Sequence, residues 1–281
     1  MMRRLLSILA LAIGLCAAAQ STDSVSVLRP VTSAWTLEWG AAELADTYLT
    51  PLVYKGNHYS IAYERSQAMR FDPKRWTMQL DASVSFDYTA NRVQNYHMAN
   101  AMVGLSWGMM RNWRLPWRLR AGIGPQVSVQ LGAMYLGRNG NNPASAKGSA
   151  AVGPMGFVSW RASVAGIPVT LRYQGSLPSL GAFFSPEYAQ LYYQIYLGDR
   201  NGLAHCAWWG NRLEYNQLLT ADIALGATIV RIGYRGRYIS SKVNHLVTHE
   251  YSNALVIGLA SDWISLSPSK HPENQRTLRA Y

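Results

Sequence analysis

The most regular pattern in the chain is an uninterrupted alternation of apolar and polar residues from Trp76 to Thr89. Apolar side chains occupy the even positions and polar side chains the odd positions. A β-strand turns successive side chains to opposite faces, so this segment has one apolar face and one polar face. A transmembrane β-strand needs about 9–11 residues, with an apolar face towards lipid and aromatic residues at both interfaces. The pattern therefore predicts a membrane-spanning strand, with Trp76 at one interface and Phe86 and Tyr88 at the other.

The same alternation recurs along the chain, most clearly from Trp117 to Tyr135. It predicts eleven strands, near residues 32–42, 57–68, 75–89, 96–109, 117–136, 149–164, 167–177, 189–198, 215–226, 228–239 and 250–264. Bacterial single-chain barrels have even numbers of strands, so a further short strand at 203–209 gives a predicted total of twelve. The alternative is ten strands. The sequence thus predicts an all-β fold, an antiparallel transmembrane β-barrel.

The amino terminus has the pattern of a cleaved signal peptide. Arg3 and Arg4 precede an apolar run that ends at Cys16, and small residues follow up to Ala19. This pattern predicts a signal peptide at 1–19, followed by the barrel at 20–266 and a polar tail of no assigned role at 267–281. A lipoprotein attached through Cys16 is the competing interpretation, which the large Leu15 disfavours.

Composition supports an exported membrane barrel. Hydrophobic residues make up 49% of the chain and charged residues 15%, yet the mature part has no run of about 18 apolar residues that would form a membrane helix. Cys206 is its one remaining cysteine, so no internal disulfide is expected. We expect a monomer in the outer membrane of a Gram-negative bacterium, surrounded by outer-membrane lipid, with both termini in the periplasm. A secreted β-sandwich is the alternative.

Two segments in predicted outer loops carry a resemblance to a known family. The first runs from Asp46 through Tyr48 and Pro51 to Tyr54 and Gly56, and the second is the run Asn141, Asn142, Pro143, Ala144, Ser145, Ala146, Lys147. Both resemble signatures of a domain-of-unknown-function family of predicted Gram-negative outer-membrane β-barrels. The resemblance implies the barrel and its compartment, and it implies no catalytic residue and no substrate.

Several charged residues fall on the faces of the strands that are predicted to line the lumen. The net charge is +11, and the arginines are not clustered in a loop or along a helix, so no nucleic-acid partner is expected. The predicted lumen-facing residues that would set ion selectivity are Arg118, Arg120, Arg172, Arg231 and Arg235, opposed by Asp81, Asp87 and Glu64. Either these groups pair across a narrow lumen, or the excess of arginine favours small anions in a wet channel.

Candidate chemistry is sparse. His58, Ser60 and Glu64 suggest a nucleophilic triad, but their spacing places all three on the polar, lumen-facing side of one strand. His245 and His249 lie in a predicted loop without a cluster of acidic or cysteine ligands. We therefore expect no catalytic residues, no metal and no cofactor.

The sequence favours a narrow porin-like pore for small polar or anionic solutes. The alternative is a closed structural or surface-binding barrel that acts through its outer loops, and the second alternative is an outer-membrane lipid hydrolase. Fold class alone does not decide among these functions.

Overall fold

A computed structural model describes residues 27–140, 142–188, 190–199, 201–226, 228–263 and 276–277. The predicted signal peptide and most of the polar tail lie outside the described residues. Within them the chain forms fourteen strands and one short helix. The strands are β1 (Val27–Leu28), β2 (Val31–Asp46), β3 (Thr50–Ala68), β4 (Trp76–Ala90), β5 (His97–Arg114), β6 (Leu119–Leu136), β7 (Ala144–Val164), β8 (Ile167–Ser176), β9 (Leu180–Phe184), β10 (Ala204–Ala207), β11 (Arg212–Leu225), β12 (Thr228–Val243), β13 (Leu246–Trp263) and β14 (Arg276–Thr277). The helix is α1 (Tyr192–Tyr196). None of the described helices is long and apolar enough to cross a membrane.

Ten of the strands close into an antiparallel barrel. Strands β2 to β8 follow one another around the wall, β8 pairs with β11, and β13 pairs with β2 to close the ring. Strands β9 and β10 lie outside the ring, where β9 pairs with residues 149–152 in the loop-end part of β7 and β10 pairs with β9. Strands β1 and β14 pair in parallel as a separate two-stranded sheet. The predicted total of twelve barrel strands is wrong, and the alternative of ten is correct.

The miscount arises in the segment between β8 and β11. Leu191, Tyr193, Ile195 and Leu197 alternate like a strand, but this stretch folds as α1. The Gln194 side chain accepts a hydrogen bond from the Leu191 N–H at 2.8 Å, and the Leu191 carbonyl accepts the Ile195 N–H at 3.3 Å. A short run of four alternating apolar residues is compatible with a single helical turn as well as with a strand. The predicted strand at 203–209 does form, as β10, but not in the barrel wall.

The barrel has an apolar outside and a polar inside. On β2, Trp35, Leu37 and Trp39 are exposed, whereas Thr36 and Glu38 between them are buried. The same arrangement holds on β4, where the predicted apolar face points outwards. A protein in water buries its apolar face, so this inverted arrangement is that of a barrel surrounded by lipid. The fold is an outer-membrane-type β-barrel.

The two ends of the barrel differ in their connections. The loop end carries residues 47–49, 91–96, 137–143, 177–211 and 244–245, and the terminal end carries the turns at 69–75, 115–118, 165–166 and 226–227. Strands β2 and β3 continue beyond their predicted bounds of 32–42 and 57–68, as far as Asp46 and Thr50. Strands β12 and β13 likewise continue beyond 228–239 and 250–264, as far as Val243 and Leu246. The strands therefore project further at the loop end than the alternation alone predicts.

Candidate functional site

The lumen is crossed by an ion-pair cluster that joins opposite walls. Strands β3 and β8 are five places apart in the ten-stranded ring, yet Glu64 of β3 pairs with Arg172 of β8. Arg231 of β12 approaches Glu64 with an Nη1–Oε1 distance of 3.3 Å. It also makes two parallel bonds to Asp222, at 2.7 and 2.8 Å. Arg172 and Arg231 are 2% and 1% exposed, so these charges are held in a dry interior where pairing is required.

A layer of amides continues the crossing. Gln79 of β4 donates to the Gln174 side chain of β8 at 3.0 Å, and to both Asp81 oxygens at 3.1 Å. Ser106 donates to Asp81 at 3.4 Å. Asp81 is therefore part of a hydrogen-bond network. A residue that sets ion selectivity would instead face open solvent in a channel.

A second charged cluster surrounds Glu38. The Glu38 carboxylate lies 2.6 Å from Arg235 Nε and 3.7 Å from Arg237 Nη2. Beside it, His58 Nδ1 lies 2.5 Å from Asp87 Oδ1, and Asn100 donates to Asp87 at 2.9 Å. The predicted excess of positive charge on the lumen wall is therefore offset, because these arginines, like Arg172 and Arg231, pair with carboxylates.

Towards the loop end the lumen is crossed again. Glu214 of β11 accepts hydrogen bonds from Gln130 of β6 at 2.6 Å and from Asn216 at 3.2 Å. Lys147 of β7 contacts Asp46 of β2 at 2.7 Å, and these two strands are again five places apart. Side chains from facing walls thus meet at successive depths of the barrel.

A polar cavity lies among these crossings. It has a volume of about 130 Å³, which corresponds to roughly four water molecules. The lining includes His58, Asp81, Ser106, Gln130, Arg235 and Glu250. The space fits water or a small polar molecule, because most of the residues that line it are polar.

An apolar cap closes part of the loop end above the cavity. It consists of buried side chains from β2, β3, β5 and β6 together with a loop residue: Leu44, Leu49, Tyr54, Met98, Met134 and Leu136. Tyr48 packs against this cap, donates to the Gln190 carbonyl at 2.7 Å and meets the Tyr192 ring edge-on at 5.9 Å. Burial beside Tyr192 raises the pKa of Tyr48 to about 12, so its hydroxyl remains a donor at neutral pH.

The two predicted outer-loop motifs meet in this region. Asp46 of the first motif pairs with Lys147 of the second. The Ala146 N–H donates to the Tyr192 hydroxyl at 2.6 Å, and Asn139 donates to the Leu49 carbonyl at 3.3 Å. The motifs therefore build a lid across the lumen at its loop end.

The remaining motif residues have local structural roles. A Cβ on Gly56 would lie 2.2 Å from the Tyr88 carbonyl oxygen, so a side chain here would push β3 from β4. Pro143 accepts the Leu136 N–H at 2.7 Å and Asn142 donates to Asn139 at 3.2 Å. Pro51 is exposed near the start of β3, and Asn141 lies outside the described residues.

Two predicted lumen arginines lie elsewhere than expected. Arg118 is exposed in the β5–β6 turn, with a left-handed φ of 60°. It does not line the lumen, because the strand predicted to begin at Trp117 begins two residues later. Arg120 does face inwards, but at the terminal mouth.

The fold does not bring His58, Ser60 and Glu64 into the arrangement of a catalytic triad. Ser60 Oγ is buried and has no hydrogen-bond partner, and His58 bonds to Asp87. A nucleophilic serine requires a base within hydrogen-bond reach. Among the described residues, no group of three or more His, Cys, Asp or Glu side chains is placed to hold a metal ion.

Comparison with known proteins identifies the family. The family model described as "Protein of unknown function (DUF3316)" matches residues 4–270. The chain belongs to this family. The predicted family resemblance is thus confirmed, and the DUF3316 match covers both loop motifs. No curated relative matches the chain significantly.

Several solved outer-membrane structures resemble the DUF3316 chain at low identity. The transport unit of the autotransporter AIDA-I from Escherichia coli is 8% identical with a TM-score of 0.45, over 89% of this chain and 94% of that chain. The outer-membrane protease OmpT from Escherichia coli is 9% identical with a TM-score of 0.46, over 87% and 99%. Neisserial surface protein A is 12% identical with a TM-score of 0.37, over 83% and 97%. The interpretation of the site therefore rests on the side chains of this chain.

Loss of the Asp46–Lys147 pair should loosen the lid. We expect Asp46→Asn to lower the free energy of unfolding by about 1–2 kcal/mol, because it removes a charge-assisted bond to a mostly buried lysine. Limited proteolysis should show faster cleavage in 47–49 and 137–143. The control is Asp199→Asn, at an exposed loop-end residue between α1 and β10, which should leave both measurements unchanged. Equal effects of the two substitutions would contradict the role of the pair.

Proposed function

We propose that this protein is a closed outer-membrane barrel that acts through its loop-end surface. The observation that carries the proposal is the Glu64–Arg172 pair, which joins opposite walls in the middle of the lumen. The crossings at Glu214 and Asp46 and the apolar cap support the same interpretation. The narrow-pore function would require several buried ion pairs to separate at once, which is costly in a dry interior.

The loop end offers a surface suited to a binding partner. The excursion 177–211 extends from the barrel wall through β9, α1 and β10. Its exposed aromatic and apolar side chains are Tyr188, Tyr193, Tyr196, Leu197, Trp208 and Trp209. Tyrosine and tryptophan are enriched in the energetic centres of protein interfaces. We infer that this excursion is the part of the protein that meets a partner.

The lipid-hydrolase function has weaker support. Its candidate residues, His58, Ser60 and Glu64, are buried and face the lumen. An enzyme that acts on a membrane lipid needs its nucleophile within reach of the acyl ester.

The first experiment is a planar-bilayer recording of the purified, refolded protein in a salt gradient. We expect a silent bilayer, because the lumen is crossed at several depths. Folding and insertion are verified separately by heat-dependent gel migration. A steady conductance from verified, inserted protein would overturn the closed barrel, and a reversal potential favouring anions would support the pore.

Orientation and location can be tested on the same chain. Outer-membrane barrels have long outer loops and short periplasmic turns, so we infer that the loop end faces outwards, the termini lie in the periplasm and the protein is a monomer in outer-membrane lipid. An epitope inserted after Gly140 should bind antibody on intact cells, whereas one inserted after Gly226 should bind only after permeabilisation. Both are glycines around which no neighbouring atom lies within 4 Å of an added Cβ. The reverse accessibility would contradict this orientation.

A further inference from the structure

The terminal end of the lumen carries three inward-facing arginines on adjacent strands. Arg114 lies at the end of β5, Arg120 near the start of β6 and Arg161 towards the end of β7. Arg114 and Arg120 are direct cross-strand partners, and Arg120 pairs with Ser159, two residues before Arg161. Strand alternation turns the three side chains to the inside of the wall. They therefore converge at one side of the terminal mouth.

This arrangement is unfavourable for the protein alone. Like charges directly opposite each other on paired strands are destabilising. The charges that act on Arg120 are those of Arg161 and Arg114, and the described carboxylates form no ion pair with Arg114 or Arg120 within 4 Å. Arg120 Nε is buried and has no hydrogen-bond partner. A buried donor without a partner is costly, so an acceptor that bears negative charge would stabilise this mouth.

The site has a closed floor. Along each of the three strands, the next inward-facing residue is Asn112 on β5, Gly122 on β6 and Ser159 on β7. Further inside on β5 and β7, Met110, Met155 and Phe157 form a buried apolar cluster. A Cβ on Gly122 would lie 2.5 Å from both Asn112 Oδ1 and a ring carbon of Phe157, so this floor is closely packed. A ligand would therefore approach the arginines from the terminal end.

The chemistry of the cluster defines its ligand. A guanidinium presents several N–H donors in a planar fork that matches two oxygens of a phosphate group. We propose that Arg114, Arg120 and Arg161 form a binding site for a phosphate group at the terminal end of the lumen. The surrounding surface supports this choice, because Arg29, Arg65 and Arg70 add positive charge to the same end, which raises the local concentration of anions.

The test is a titration of the refolded full-length mature chain in a zwitterionic detergent at constant ionic strength. Inorganic phosphate replaces chloride, and the thermal midpoint is followed by tryptophan fluorescence, since Trp113 and Trp117 lie next to the cluster. We expect a saturable rise in the midpoint for the native chain. Arg120→Gln and Arg161→Gln should each weaken the apparent affinity about tenfold or more, because each removes charge-assisted bonds.

Two further variants separate binding from folding and from general charge. Arg92→Gln removes the same charge from the exposed loop end and should behave as the native chain. Arg120→Lys keeps the charge but loses the fork, so it should fall between the native chain and Arg120→Gln. In the absence of phosphate, Arg120→Gln should unfold at or above the native midpoint, because it relieves the repulsion from Arg114. A native chain with no saturable response, or an Arg92→Gln effect equal to that of Arg120→Gln, would overturn the proposal.

The source of the phosphate group is distinguished with lipid nanodiscs. Replacing phosphatidylcholine by phosphatidylglycerol should raise the thermal midpoint of the native chain and abolish the response to added phosphate if the ligand is a lipid headgroup. A response to free phosphate that persists unchanged in phosphatidylglycerol nanodiscs would assign the site to a soluble phosphate compound. Either result supports the site. A thermal midpoint that responds neither to phosphate nor to phosphatidylglycerol would overturn the proposal.

Discussion

Replacing Glu64 by alanine is expected to lower the free energy of unfolding by about 3–5 kcal/mol. The substitution takes away the carboxylate that Arg172 and Arg231 share, while both guanidiniums remain almost fully buried. Arg231 keeps its two bonds to Asp222, but both guanidiniums lose a buried carboxylate partner. Removing one partner of a buried ion pair costs more than the intact pair contributes. Denaturant titration of the refolded protein in detergent, followed by tryptophan fluorescence, gives this difference directly.

The matched control is Glu43→Ala. Glu43 pairs with Lys55 at 2.8 Å on the outer face of the barrel, where their side chains are 38% and 72% exposed. Exposed pairs contribute about 0–1 kcal/mol, because water screens them. A Glu64→Ala cost as small as that of Glu43→Ala would mean that water reaches the middle of the lumen. That outcome would favour the pore over the closed barrel.

Local periodicity made the barrel wall predictable. The alternation from Trp76 to Thr89 is a property of successive residues, so it can be read without knowledge of the fold. The structure confirms it, with Val84 and Phe86 outside and Ser85 and Asp87 buried. The same reasoning failed at Leu191–Leu197, because four alternating apolar residues also suit a single helical turn held by the Gln194 side chain.

The contents of the lumen were only partly predictable. The alternation correctly placed Arg172, Arg231 and Arg235 on inward faces, but it gave no information about their partners. Glu64 and Arg172 are 108 residues apart, and they meet because the ring closes with β3 opposite β8. The number of strands and their stagger fix which residues face each other across a barrel. Neither quantity is visible in a local pattern, so the excess of arginine suggested a positive channel where the structure has ion pairs.

Glu38 shows what the sequence analysis missed. It anchors Arg235 and Arg237, yet it was not among the candidate lumen residues. Its position between Leu37 and Trp39 is itself the signal, because a lone carboxylate on the polar face of an aromatic-rich strand must face the interior. The roles of Asp46 and Lys147 had no such signal. Their contact spans 101 residues and depends on the same closure of the ring.

Replacing Leu37 by arginine is expected to destabilise the barrel in phospholipid vesicles by about 2–4 kcal/mol. Leu37 is 64% exposed and lies on the outer wall between Trp35 and Trp39. If lipid surrounds this wall, the guanidinium enters the hydrocarbon region, where its transfer from water is unfavourable. Unfolding by denaturant in vesicles, compared with the native chain, measures the cost.

The control for this substitution is Leu197→Arg. Leu197 is 66% exposed, almost the same as Leu37, but it lies in the loop-end excursion beyond the barrel wall. The two leucines share residue type and exposure but differ in the solvent expected around them, so their comparison reports the contribution of lipid. Leu197→Arg should change stability by less than about 0.5 kcal/mol, as a surface substitution does in water. If Leu37→Arg were as mild as Leu197→Arg, the apolar wall would face something other than lipid, and the membrane-spanning interpretation of the alternation would fail with it.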